Sequence, residues 1–332
     1  MTVSDFLGNP EAKGRLSGFF EPGGRFPHAV LLEGLPGSGR KTLARLIAAA
    51  AVCHGAETRP CGACSDCHKS VGGIHPDIEE LVSDKASFGV DLVRDRIRET
   101  AYILPNDAAY RVMILPEAQL MTEQAQNALL KVLEEPPSHL IFILTCENRT
   151  QMLPTVLSRT VCVPLSGVPE AEALPYLKTQ MPQTDENTLR AALLIFDGRI
   201  GQVLEMNGDA FTRIRQLSSQ MAAGVASPKE LDLLRISGAL AAEDKSGKEL
   251  FDGVLGAFKL IIRDALVCRT GYSGRMSVDP AAAEKLGQTL PAPRLTAVME
   301  TVEQLQRDRL RNMNRNLLLT LMCSRLRNAA GY

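Results

Sequence analysis

"HAVLLEGLPGSGRKTLARLIAAAA" spans His28–Ala51 and reads as three pieces in order: an apolar run, a glycine turn and a helical run from Thr42 to Ala51. That order is a buried strand, a loop and a helix. The loop nearly matches the pattern that cradles nucleotide phosphates, G-x-x-x-x-G-K-[ST]. Gly34 and Gly39 occupy the two glycine positions, with Gly37 between them. The lysine position then holds Arg40, and the Ser/Thr position holds Lys41. Moving the frame by one residue recovers Lys41 and Thr42 but loses both glycines.

Three more strands follow from short apolar or β-branched runs: "YRVMILP" (Tyr110–Pro116), "LIFILTC" (Leu140–Cys146) and "RTVCVPL" (Arg159–Leu165). Between the second and third, Leu120, Met121, Ala125, Ala128, Leu129, Val132 and Leu133 recur at helical spacing until Pro136 and Pro137 end the run. Strands alternating with helices predict a parallel, helix-covered α/β sheet with its ligand edge at the C-terminal ends of the strands. Past Leu165 the pattern is helical to the end, with Gly198 as a breaker. The expected organisation is an α/β domain over 1–165, a small helical domain over 166–210 and a larger helical domain over 211–332.

A working nucleotide site needs an acidic, magnesium-holding residue after the second strand. Pro116 and Glu117 stand there. Glu117 alone accepts a hydrogen bond, and its expected role is to charge the first turn of the next helix. Arg40 has a fork that suits phosphate oxygens, but it is bulky for a tight cradle. Lys41 places an ammonium where a hydroxyl should ligate magnesium. Thr42 lies about 100° of helix turn from the required direction. Hydrolysis by this chain is not expected, while weak nucleotide binding stays open.

"CHGAETRPCGACSDC" places Cys53, Cys61, Cys64 and Cys67 within one short segment. Thiolates at C-x2-C spacing share one ion, and four of them complete the tetrahedral shell of a structural zinc site. One structural zinc is expected, in a module over about 53–67. An iron–sulfur cluster and a redox pair of Cys64 with Cys67 are the alternatives. The other four cysteines lie in apolar runs and read as buried hydrophobes.

The chain has 332 residues with 45% hydrophobic content, and its formal net charge of −1 excludes a broadly basic nucleic-acid binder. Its opening "MTVSDFLGNP" lacks the basic and apolar regions of a signal peptide. No apolar stretch is long enough to span a bilayer. A cytoplasmic place is therefore expected, and no membrane partner.

These features together resemble the AAA+ subunits of bacterial DNA clamp loaders, from about Asp5 to the end and most strongly over residues 26–165. The likeness rests on "FPHAVLLEGLPGSGRKTLA", on the cysteine module followed by "IHPDIEEL", on "NALLKVLEEPP" and on "LPTVLSRT". "NRNLLLTLM" near the end adds weaker support. Within that family the damaged loop matches the members that do not hydrolyse ATP. The resemblance implies an AAA+ fold with a zinc-module insertion, a helical lid over 166–210 and an all-α collar over 211–332.

It further implies a hetero-oligomer with gamma/tau-type ATPase subunits and a delta subunit, loading the sliding clamp onto primed DNA for DNA polymerase III. Arg159 falls where the family carries an arginine finger, with Thr160 in place of the family's cysteine. A guanidinium supplied in trans stabilises charge on a neighbour's γ-phosphate. The alternative for Arg159 is a solvated arginine at a helix end. The family's nucleotide-sensing lid arginine is absent, since Gly201 stands at its position and Arg199 lies on another side. Thr145 matches a polar sensor position. Two other readings stay open: an ATP-hydrolysing subunit of the gamma/tau type, and a lone zinc-containing nucleic-acid-binding protein.

Overall fold

β-branched and aliphatic residues buried on both faces dictate the centre of the first half of the molecule. In this computed structural model, residues 2–21, 23–81, 95–97, 100–206, 208–242, 247–270, 278–310 and 314–332 are described. Five parallel strands, β1 (Ala29–Glu33), β2 (Ile78–Glu80), β3 (Arg111–Leu115), β4 (Leu140–Cys146) and β5 (Val161–Pro164), lie in the order β2-β3-β4-β1-β5. The helix-covered parallel α/β sheet expected from the sequence is therefore present. Val30 pairs with Ile143 on one side and Val161 on the other.

Alternation along each strand divides the core in two. Leu31, Met113, Leu115, Phe142 and Leu144 pack with Leu129, Leu133 and Val156. Val30, Leu32, Val112, Ile114, Ile141 and Ile143 pack with Leu16, Leu43 and Ile47. The helices are thus α1 (Pro10–Phe20) and α2 (Arg40–Val52) on one face. On the other lie α4 (Glu123–Glu134) and α5 (Pro154–Leu157). A short α3 (Ser65–Val71) belongs to the cysteine module.

Two expectations need correction here. Leu120 and Met121 precede the helix: Ala118–Leu120 is a 3-10 turn, and Met121 is extended. Helix α4 starts only where the Thr122 hydroxyl accepts the Ala125 N–H at 3.2 Å. Glu117 does not charge the first turn of α4, because it occupies a left-handed position (φ 50°) ahead of the 3-10 turn.

Strand β2 has only three residues, and two of them are glutamates, so the sequence offers no apolar run to mark it. Its place is fixed by the neighbouring Asp77, which is fully buried. The carboxylate accepts the Asn106 N–H at 2.7 Å, the Asp107 N–H at 3.1 Å and the Ala108 N–H at 3.2 Å. Burial works to raise the Asp77 pKa, but these amide donors overcome it and hold the group below its ordinary value. Asp77→Ala is expected to destabilise the protein by roughly 3 kcal/mol, since it strands buried donors. The folded carboxyl titrates lower than the unfolded one. Its contribution is therefore full above about pH 4 and fades as pH falls through the lowered folded value. Thermal melts against pH should show a flatter acid limb for Asp77→Asn, and an unchanged limb would contradict this clasp.

The chain divides into two units, Met1–Pro169 and Glu170–Tyr332. Among the described residues of the second, the regular elements are all helices. Its helices are α6 (Glu170–Gln180), α7 (Glu186–Ile195), α8 (Ile200–Glu205), α9 (Gly208–Val225), α10 (Glu230–Ala242), α11 (Gly247–Cys268), α12 (Pro280–Thr289), α13 (Ala292–Leu310) and α14 (Arg315–Ala330). Val254, Leu255, Phe258, Ile261 and Ile262 make α11 the buried axis of this unit. Close approach sets one position there, because a Cβ on Gly256 would stand 2.3 Å from the Ile195 carbonyl oxygen. Gly198, with φ 75°, breaks the chain between α7 and α8 as its sequence position predicts. Among the described residues, no helix is long and apolar enough to cross a membrane.

Candidate functional site

The glycine loop sits where β1 ends, at the C-terminal edge of the sheet. Gly34 N–H donates to the Cys146 carbonyl at 3.1 Å, which ties the loop to β4. A side chain at Gly34 would meet Ser38 Oγ at 2.6 Å and the Leu165 carbonyl oxygen at 3.0 Å. Gly39 has φ 92° and precedes the first turn of α2. These glycines serve the strand-to-helix turn whether or not a phosphate binds.

Arg40 opens α2 and is only 7% exposed, while Lys41 and Thr42 are exposed. Burial pulls the Arg40 guanidinium below its ordinary pKa, and charge on Glu147 and Glu117 opposes that pull. The Arg40 Nη1 has no hydrogen-bond partner among the described residues. Thr145, the sensor-like threonine, is 1% exposed, and its hydroxyl accepts the Glu117 N–H at 3.0 Å. Gln119 accepts the Glu147 N–H at 3.3 Å, and Glu33 accepts the Arg149 N–H at 3.0 Å. The fold brings Arg40, Glu117, Thr145 and Glu147 to one strand edge. Glu147 carried no sequence signal of its own beyond following an apolar strand. At the lysine and hydroxyl positions of the loop stand the buried Arg40 and an exposed Lys41, and Pro116 offers no carboxylate.

Arg159 lies just after α5, whose first residue, Pro154, sets the helical start. The buried Gln126 of α4 accepts the Leu153 N–H at 2.8 Å and so fixes the entry to this segment. At its exit, Arg159 Nη1 donates to the Thr155 carbonyl at 2.9 Å and to Ser158 Oγ at 3.1 Å. Its Nη2 stands 2.9 Å from Glu134 Oε1. Arg159 is therefore a half-buried, engaged side chain. Arg199 is elsewhere in the second unit, buried, with its Nε donating to the Phe196 carbonyl at 2.8 Å.

The four cysteines converge as their spacing predicts. The ligand atoms of Cys53, Cys61, Cys64 and Cys67 lie within 4.8 Å of one another. Cys53 and Cys64 Sγ are 3.9 Å apart, as are those of Cys61 and Cys67. Four thiolates about 2.3 Å from one zinc stand about 3.8 Å apart in a tetrahedron. The set fits one ion, whereas a cluster spreads its ligand sulfurs over several irons. Backbone donors already point at sulfur: the Gly55 and Cys61 N–H groups reach Cys53 at 3.2 Å and 3.3 Å, and the Cys67 N–H reaches Cys64 at 3.4 Å. The amides of Ala63 and Cys64 lower the Cys61 thiol to about 6. Beside the cluster, buried Asp66 takes a hydrogen bond from His54 at 2.9 Å and lies 3.4 Å from His75.

A parallel sheet in this strand order with a glycine loop after β1 is the AAA+ class of α/β module, and the comparisons place it in the clamp-loader family of DNA polymerase III. The family model described as "DNA polymerase III, delta subunit" matches residues 10–169. The chain is 30% identical to the DNA polymerase III subunit delta' of Escherichia coli over 315 residues, covering 91% of this chain and 90% of that one. It therefore belongs to the DNA polymerase III delta' subunit family. It is also 39% identical over 148 residues to the DNA polymerase III subunit gamma/tau of Mycobacterium bovis, which is 44% of this chain. The chain spans only 25% of the length of that relative. A solved gamma subunit-related protein of DNA polymerase III from Thermotoga maritima aligns with TM-score 0.40 and 19% identity, over 97% of this chain and 100% of that one.

Proposed function

We propose that this chain is a non-hydrolysing clamp-loader subunit that donates an arginine finger, Arg159, to the ATP site of a neighbouring subunit. The observation that carries the reading is Arg40. Where a working loop holds a lysine ready for phosphate, this chain holds a buried guanidinium, 7% exposed, next to an exposed Lys41 at the magnesium-ligating position. Hydrolysis is then the work of gamma/tau-type neighbours, and the chain contributes a fixed body against which they move. A delta subunit completes the heteropentamer, which opens the sliding clamp and places it on primed DNA in the cytoplasm. Residues 166–210 act as lid and 211–332 as collar in this reading, and the cysteine module holds one structural zinc.

A second reading, weak nucleotide binding without hydrolysis, draws on Arg40 Nη1, which is buried and has no hydrogen-bond partner among the described residues. The reading of the chain as a gamma/tau-type ATPase draws on the Mycobacterium bovis likeness. One measurement separates all three. Purified chain is expected to retain no labelled ATP at micromolar concentration, with or without magnesium. Retention that magnesium does not improve supports the second reading, and tight magnesium-dependent binding with turnover overturns the proposal.

A further inference from the structure

We propose that Glu134 is the positioning residue for the Arg159 guanidinium. An arginine side chain left free samples many rotamers, and presenting one of them to a neighbour's phosphate requires that freedom to be removed beforehand. Here the removal is done by the chain itself. Both hydrogens of Nη1 are directed to the Thr155 carbonyl and Ser158 Oγ, and Glu134 Oε1 stands 2.9 Å from Nη2. These contacts engage both terminal nitrogens and leave the Nε–H without a hydrogen-bond partner among the described residues. Glu134 is the last residue of α4, the helix that also fixes Leu153 through Gln126. A single helix therefore holds both ends of the segment that carries the finger.

Glu134 and Arg159 are 51% and 34% exposed at their side chains. At that exposure an ion pair is weak. It orients the guanidinium without competing seriously with a triphosphate, whose charge is several times larger. The next residue, Glu135, carries the same charge one position further on, and among the described residues no hydrogen bond or ion pair ties it to Arg159. It serves as the control for a general electrostatic effect.

This inference rests on the finger reading, and the test separates the two. The assembly is reconstituted with a delta subunit and gamma/tau subunits of which only the neighbour served by Arg159 can hydrolyse ATP, isolated by size exclusion and assayed for ATP hydrolysis with primed DNA. Glu134→Ala is expected to lower kcat about three- to five-fold, the scale that orienting a half-exposed pair supplies, with KM for ATP little changed. Glu135→Ala should match the parent. In an Arg159→Ala background, Glu134→Ala should add nothing. A Glu134→Ala assembly as fast as the parent overturns the positioning role while leaving the finger in place. A loss that persists in the Arg159→Ala background overturns it as well. If Arg159→Ala alone has no effect, the finger reading falls and this inference falls with it.

Discussion

Arg159→Ala is expected to leave the assembly intact and to depress ATP hydrolysis at the one neighbouring site it serves by roughly 10³-fold. The size follows from what a guanidinium does in phosphoryl transfer: it meets negative charge as that charge grows on the transferred group, in a site where water is scarce. Whole-assembly rates fall by less, because other sites in the complex keep their own partners. Single-turnover measurement on an assembly with only that neighbour competent isolates the effect. Assembly should survive because, among the described residues, the polar contacts of the Arg159 side chain go to Thr155, Ser158 and Glu134, and because β5 and α5 are held by buried Val163 and Val156. Arg159→Lys should recover little, since an ammonium keeps the charge but not the planar fork. Hydrolysis at the parent rate in Arg159→Ala would remove the assignment.

The second large effect concerns the cysteines. Elemental analysis of the purified protein is expected to find one zinc per chain, and Cys64→Ser to lose most of it. A serine hydroxyl remains protonated at neutral pH and is a poor substitute for a thiolate ligand. Structural zinc contributes about 10–16 kcal/mol of apparent binding free energy in small modules, and that energy is folding energy. Removing the ion with a chelator should therefore expose the segment between α2 and β2 to limited proteolysis while the sheet holds. The sheet is separate in its packing: Val30, Leu32 and Ile143 reach α1 and α2 without the module. A Cys64→Ser protein that retains a full equivalent of zinc would contradict the four-ligand reading. Iron together with acid-labile sulfide in place of zinc would replace it with a cluster.

Much of this architecture is legible in the residues because burial writes a simple pattern. Four strands are apolar runs, and the four cysteines share a turn-forming spacing. Residues that act through partners distant in sequence leave no such mark. Ile78–Glu80 joins the sheet because Asp77 clasps residues 106–108, and neither segment announces the other. Arg40 reads in sequence as a possible phosphate ligand, and only the fold shows that its side chain is buried. Glu134 is an ordinary helix-end glutamate in sequence, and only the fold places it 2.9 Å from Arg159. Glu117 was misread because a left-handed residue and a threonine cap, both local choices of backbone, delay the start of α4.

The side-chain clasps along the strand edge have one more consequence. The N–H groups of Glu117, Glu147, Arg149 and Leu153 are each accepted by a side chain from another element: Thr145, Gln119, Glu33 and Gln126. A segment able to switch between two arrangements would need a second set of acceptors for the same donors. Here one set is in place, so another arrangement of the stretch from the end of β4 to Leu153 would have to give up these bonds before it formed others. For the neighbour proposed to receive Arg159, a stretch held in one arrangement costs no affinity to the selection of a minor population.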